Sequence, residues 1–430
     1  MSSFLALCLC LLFVAIIRST AGVVDFKELG GVPSDDSIDT MNKNGALLNA
    51  TLNSLSPGDV FVLPNETFHT QGGIIVAQAL HKVTIVIDGT LSFNNDRDTY
   101  PRGPDGKVLE CLLFHDLTEV VFTSSGGLNN RGTFNGNGQA WWGAVKYLEH
   151  QEDRPRLFHI LQSKSILFEK IALLNSPFWT FYAENCDGLE VRYSEIDARW
   201  ENPEYWRDRH TLLDLQAFNT DGFDVTGQYV HIHDVKIWND DDCVCVKDNS
   251  QHMLFENIEA SGLGLVVGSI GSSRVNNITF RNAVMNNTVK GIYMKTRWND
   301  DGPIGEEASI SNVLYENITI IKAEQFPIWI GPAQQSGQPC SLLWPEDSHA
   351  ECLMSGYQSW NNITLKDVYI DSPWGSPGVF MSNNSNPIEN LTLTNVVVTG
   401  AREGHGEYLC LGPIVGTVEG GSTPRPDCIL

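Results

Sequence analysis

Basic residues are scarce in this chain: 28 Lys and Arg stand against 52 Asp and Glu over 430 residues, a formal net charge of −24. Such a surface repels a polyphosphate, so nucleic acid is excluded as a partner. An anionic substrate is still admissible if a few cations are placed locally. Charged residues of both signs reach only 19%, against 42% apolar, which excludes a disordered chain. Also missing is any run of 18 apolar residues, so no membrane span is expected. The nearest approach, Leu5 to Ile17, is too short to cross a bilayer. It is followed by Arg18 and then the small residues Ser19, Thr20, Ala21 and Gly22. These features predict an export leader cleaved near Ala21, although the opening MSSF carries no basic residue. The mature chain, 22–430, shows no linker or low-complexity stretch and is expected to be one domain, secreted to the extracellular space.

Removing the leader removes Cys8 and Cys10 and leaves Cys111, Cys186, Cys243, Cys245, Cys340, Cys352, Cys410 and Cys428. An even count in an exported chain allows up to four disulfides, of which Cys340–Cys352 and Cys410–Cys428 are the short-range candidates. Cys243 and Cys245 alternate with Val in a strand-like run, which points to at least one buried free thiol. Asn-x-Ser/Thr sequons at Asn49, Asn65, Asn286 and Asn383 fit a glycosylated secreted protein.

Behind the leader, Met41, Leu48, Leu52 and Leu55 form a helical stripe, ended by the Ser56-Pro57-Gly58-Asp59 turn. A helix ahead of a long β region could cover the open end of a stacked sheet. The remainder repeats itself. SILFEKIAL, GLEVRYSEI, YVHIHDVKI, HMLFENIEA, NITFRNAVM, NVLYENITI, NITLKDVYI and NLTLTNVVV each alternate apolar and polar residues, turn through Asn, Asp, Lys or Ser, and enter another short strand. Ile166, Leu189, Val230, Met253, Ile278, Val313, Ile363 and Leu391 are the matching anchors. The shortest spacing between them is 23 residues and the longest is 50, so the unit is about two dozen residues with loops inserted into single coils. Period-2 alternation at that repeat length predicts an all-β solenoid, a right-handed parallel β-helix with a short N-terminal capping helix. Leucine-rich repeats need a leucine and asparagine spacing that is absent. A β-sandwich would show turns every 8–12 residues without a long period.

The densest chemistry lies in FNTDGFDVTGQYVHIHDVKIWNDDDCVCVKD, which holds Asp221, Asp224, Asp240, Asp241 and Asp242. Asp221 and Asp241 are about one coil apart and so become neighbours across strands spaced ~4.8 Å. Gathered carboxylates repel one another, raising at least one pKa and keeping one proton near neutral pH. A protonated acid beside ionised carboxylates suits glycosidic cleavage. Adjacent carboxylates are also hard ligands of the calcium kind, and Asp-rich tracts often form plain solvated turns. His231 and His233 alternate within a strand and read as structural.

NTDGFD followed by DDC, a glycine pair and GSIG resembles glycoside hydrolase family 28, the polygalacturonases and related pectin hydrolases. Gly132 to Trp142 (GTFNGNGQAWW) and Leu173 to Phe181 (LLNSPFWTF) resemble other stretches of that family, and VVDFKELGG resembles the opening of the wider pectate-lyase-like β-helix superfamily. The resemblance implies inverting hydrolysis of pectin-type polysaccharide by a monomer without cofactor or metal. Asp241 would then be the acid, and Asp221 and Asp242 would hold and deprotonate the water across a gap of roughly 6.5–9.5 Å. Asn219, Tyr293, Lys295, Trp298 and Arg207 are the expected substrate-binding residues. Arg207 lies in the insertion DARWENPEYWRDRHTLLDL after Ile196. Asp240 has no counterpart role and reads as a solvated turn. Two positions depart from the family pattern. Gly262-Leu263-Gly264 stands where Gly-His-Gly is usual, and Tyr293-Met294-Lys295 stands for Arg-Ile-Lys. The loss of that Arg implies weakened carboxylate recognition, or a mixed backbone such as rhamnogalacturonan; loss of activity with retained pectin binding is the non-enzyme alternative. Lys295 alone would serve as a point charge.

Overall fold

The computed structural model describes residues 21–127, 131–142, 153–199, 217–298, 309–335, 338–345, 347, 349–354 and 358–429. Residues 1–20 of the expected leader and residues 200–216, which include Arg207 and most of its insertion, lie outside the described residues. Among the described residues, twenty-six strands join in one sheet system from Val23 to Glu419, and their pairings are parallel. Each coil contributes to three faces. On face one, Tyr182, Asp224, Cys245, Val266, Tyr293, Trp329 and Val379 are successive register partners. The sequence anchors run along face two: Ile166 pairs with Leu189, Leu189 with Val230, Met253 with Ile278, Ile278 with Val313, Val313 with Ile363 and Ile363 with Leu391. On face three, Ile237, Ala260, Met285, Ile320, Ile370 and Val398 are successive partners. The repeat unit is thus one coil of a parallel β-helix.

Strands such as Phe223–Trp238 and Asp242–Ser261 are long because they bend from face to face without leaving the ladder. At the corner between faces two and three the bend is one left-handed residue: Asp234, Asn257, Asn282, Asn317, Asp367 or Asn395, with φ of 52–55°. That conformation costs most side chains roughly 1–2 kcal/mol, and Asn and Asp least. The amides also chain together, Asn282 donating to Asn257 at 3.4 Å and Asn317 donating to Asn282 at 2.9 Å. Inside, matching positions stack like on like. Phe114, Phe158, Phe181 and Phe223 form one file with centroids 5.2–5.4 Å apart, and Phe255, Phe280 and Tyr315 form another at 4.7 Å.

The N-terminal helix is Ile38–Leu52, capped by Ser37, and packs against the strands Thr67–Thr70 and Val76–Gln78. It thereby covers two strand edges that nothing else pairs, as the stripe predicts; Leu55 falls beyond the helix but still touches the core. Asn44 ties the helix down, donating to the carbonyls of Val32 and His69 at 2.9 and 2.8 Å. The short-range pairs Cys340–Cys352 and Cys410–Cys428 are disulfides, and Cys111, Cys186, Cys243 and Cys245 are buried free thiols. Of the sequons, Asn65 and Asn286 are exposed. Asn49 is spent internally, accepting from the Val76 amide at 2.9 Å. His231 and His233 pair with Glu256 and Glu190 on face two and take no part in the acid cluster.

Because Asn282 supplies both the left-handed bend and a ladder bond, Asn282→Ala is expected to cost about 1–2 kcal/mol. Asn282→Gly, which keeps the bend without strain, should cost less. Urea unfolding midpoints of the two variants, measured side by side, check this ordering.

Candidate active site

The acids gather at the corner where face three gives way to face one. Asp221 stands two residues before Phe223, and Asp242 opens the strand below it. The Gly222 amide donates to the Asp242 carbonyl at 2.8 Å, and the Leu263 amide donates to that of Asp241 at 2.7 Å. The turn is tight enough to demand glycine twice. A Cβ on Gly222 would lie 2.3 Å from the Cys243 carbonyl, and one on Gly262 would lie 2.3 Å from Asn239 Oδ1. Asn239 completes the clamp, its Nδ2 donating to the carbonyls of Thr220, Asp241 and Asp242 at 2.9–3.0 Å.

One oxygen each from Asp221, Asp241 and Asp242 lies within 4.8 Å of the other two. The three side chains are 3%, 4% and 1% exposed. The nearest oxygens of the trio thus approach closely enough for one small molecule to touch two of them at once. The trio could also ligate a metal, but one oxygen pair is already engaged: Lys295 Nζ donates to both Oδ atoms of Asp242, at 2.8 and 3.1 Å. Asp241 accepts from the Asp242 amide at 2.8 Å and, more weakly, from Asn219 N and Nδ2 at 3.2 and 3.3 Å. Burial, then the charge of Asp242, pushes the Asp241 carboxyl up to about 7. Burial, with Asp224 and Asp241 beside it, drives Asp221 well above the usual carboxylate range. For Lys295, burial works against the charge, but Asp242 outweighs it and raises its pKa.

The structure thus brings together the three expected acids, Asn219 and Lys295. It also revises other sequence readings. Asp240 is no solvated turn: it is 5% exposed, its amide donating to Thr220 Oγ1 at 3.1 Å. The neighbouring coil covers it, with Phe218 as its bridge partner. Tyr293, expected to touch substrate, is 1% exposed, with its hydroxyl accepting from the Gln334 amide at 3.1 Å and its ring 4.4 Å from Lys295 Nζ. It supports Lys295 from below. Trp298 is half-buried, and its amide donates to Gln338 Oε1. Leu263 packs against the buried cluster of Cys245, Val266, Tyr293 and Trp329.

Sequence reasoning passed over Lys247. Its Nζ lies 2.7 Å from Asp224 Oδ1, 3.7 Å from Asp221 Oδ2 and 4.4 Å from the Trp179 ring centre. The signal was available, because Lys247 follows Cys245 by two and shares its face of the strand.

A family model, glycosyl hydrolases family 28, matches residues 60–411. The chain belongs to that family. It is 28% identical to an exopolygalacturonase of Cochliobolus carbonum, over 88% of this chain and 87% of that one. Over 68% of this chain and 66% of the other, it is 26% identical to a probable endo-xylogalacturonan hydrolase A of Aspergillus niger. Its fold is that of the endo-xylogalacturonan hydrolase of Aspergillus tubingensis, with TM-score 0.63 and 19% identity over 95% of this chain and 98% of that one. A hyperthermoactive exopolygalacturonase of Thermotoga maritima superposes with TM-score 0.64 and 15% identity, over 92% and 90% of the two chains. The family 28 protein described here is therefore a pectin-degrading glycoside hydrolase.

If the enzyme works through the Asp241 proton, activity must fall as that group ionises. The kcat/KM profile is expected to decline about tenfold per pH unit above about 7. Asp241→Asn should lower turnover by about 10²–10⁴-fold and abolish that limb. A pH–rate series on both forms, with circular dichroism to verify folding, checks it.

Proposed function

We propose that the enzyme hydrolyses α-glycosidic bonds in a galacturonan backbone from a chain end, with inversion at the anomeric carbon. The observation that carries this reading is the contrast between two adjacent carboxyls. Asp241 keeps its proton near neutral pH, whereas Asp242 faces a lysine ammonium. Asp241 gives its proton to the glycosidic oxygen as that bond breaks. A water attacks the anomeric carbon and passes its proton to Asp242. A single water making two hydrogen bonds of about 2.8 Å can bridge carboxylate oxygens spaced like those of Asp221 and Asp242. Asp221, on the other side of that water, helps to orient it. Because Lys295 holds both oxygens of Asp242, that carboxylate is fixed in place to receive the water's proton, and direct attack by the water inverts the anomeric carbon. No step needs a metal or an organic cofactor.

Action from a chain end is supported by a roof over face one. Tyr293, Trp329 and Val379 point outward from the sheet yet are 0–1% exposed. The segment after Pro332, stapled by Cys340–Cys352, lies over them. Trp344 meets Trp329 edge-on at 5.9 Å, and Gln334 bonds Tyr293. A polymer cannot run freely over those coils. The two disulfides and the exposed sequons at Asn65 and Asn286 support export, and N-terminal sequencing of the secreted protein should begin just after Ala21.

Polygalacturonate is expected to yield reducing ends without unsaturated-uronate absorbance, monomer from the first time points, and a first-formed anomer of opposite configuration by NMR. Absorbance would indicate a lyase, a ladder of oligomers would overturn chain-end action, and retention would overturn the mechanism. Faster release from rhamnogalacturonan or xylogalacturonan would reassign the backbone. Lys295→Met should lower kcat by about 10²-fold or more, and chelation by EDTA should leave the rate unchanged.

A further inference from the structure

Residues in corner positions of successive coils form a file that continues beyond the acids. The Thr180 amide donates to the Asp221 carbonyl, the Leu157 amide to that of Trp179, and the Cys111 amide to that of Arg156. Glu110, Arg156, Trp179 and Asp221 therefore follow one another at one-strand spacing, ~4.8 Å per step. Arg156 Cζ lies 4.7 Å from the Trp179 ring centre and 5.2 Å from that of Tyr182. Lys247 lies over Trp179 as well, so one indole holds two cations. Tyr182 is half-buried, stacked on His159 at 4.7 Å, and is the register partner of Asp224.

The cations along this part of the cleft are unequally committed. Lys295 is 9% exposed and locked on Asp242; Lys247 is 19% exposed and locked on Asp224. Arg156 is 27% exposed. Glu110 takes one of its terminal nitrogens and its Nε–H is buried, which leaves the exposed part of the guanidinium fork, its second terminal nitrogen, to face the cleft. A guanidinium has five N–H donors and can hold two carboxylates at once, which an ammonium does less well. Glu184, near His159, is the other acid on this flank.

We propose that Arg156, braced by Trp179 and Tyr182, binds the carboxylate of a uronate unit two coils to the N-terminal side of Asp221. It is a separate site from Lys295, which lies on the other side of the acids and is held by Asp242. The proposal rests on the galacturonan reading above and names where that substrate's charge is recognised. One sugar unit is about as long as one coil step, so a ring at the trio leaves its second neighbour beside Arg156. Binding here needs the open side of the cleft, opposite the roofed coils.

The test compares kcat/KM on polygalacturonate with kcat/KM on fully methyl-esterified pectin, whose carboxylates are masked. Arg156→Gln is expected to lower the ratio of the two at least tenfold, mainly through KM on the acidic polymer, and to reduce the salt dependence of that KM. Arg156→Lys should retain part of the preference. Glu110→Gln frees the guanidinium from its partner and should shift the ratio the other way, by about threefold or more; this variant decides the matter if Arg156→Gln does not fold. An unchanged ratio in folded Arg156→Gln, or in Glu110→Gln, overturns the subsite. Failure of the wild-type enzyme to cleave polygalacturonate overturns the galacturonan reading instead, a result visible before any variant is made.

Discussion

Everything at the catalytic corner depends on one ion pair. Three carboxylates within 4.8 Å of one another would together carry more charge than a nearly dry site can hold. Lys295 compensates one of them, with both oxygens of Asp242 engaged and the pair 9% and 2% exposed. Asp221 and Asp241 lack such a partner at hydrogen-bond distance, and burial first, then the neighbouring carboxylates, raises both their carboxyls. On the proposed mechanism, the acid and base roles thereby fall to Asp241 and to Asp242, the residue that opens the strand. Losing one partner of such a pair strands the other, a cost of about 3–5 kcal/mol in buried sites, so the lysine serves stability as well as reactivity.

The stacking rule of the fold makes this arrangement possible. In a parallel ladder, equivalent residues of consecutive coils must lie one strand spacing apart. Inside, that rule yields the phenylalanine files. At the corner before face one it forces acids together and sets arginine, tryptophan and aspartate in sequence along the groove. Glycines at 222 and 262 are the complement of this crowding, since any side chain there would strike the backbone that carries the acids.

Much of this was readable in the sequence because the solenoid is periodic. Alternation gave the strands, and the anchors from Ile166 to Leu391 prove to be ladder partners. NTDG and DDC gave the acids, and proximity in sequence gave both disulfides. What was not readable depends on contacts between coils. Nothing local distinguishes an outward Tyr293 that touches sugar from one covered by a segment forty residues later. Asp240 looked solvated because burial at a corner follows from the neighbouring coil. The partners of Lys295 and Lys247, 53 and 23 residues away, follow from register, which the repeat spacing constrains but does not assign to side chains. The lengths of the inserted segments, by contrast, were plain, and their effect on access to face one was not.

The two long borders of the coil have unequal freedom to change. Across the asparagine corner, the ladder from Ile278 to Asn286 and onward to Ile321 and Asp371 keeps its register without interruption. The irregular coil lengths are taken up at the margins of face one, where Tyr293 and Trp329 are 36 residues apart and Trp329 and Val379 are 50. Natural variation can therefore lengthen, shorten or staple the walls around the sugar without disturbing the amide spine on the far side. A lineage built this way diversifies its diet at one edge while the opposite edge preserves its ancestry.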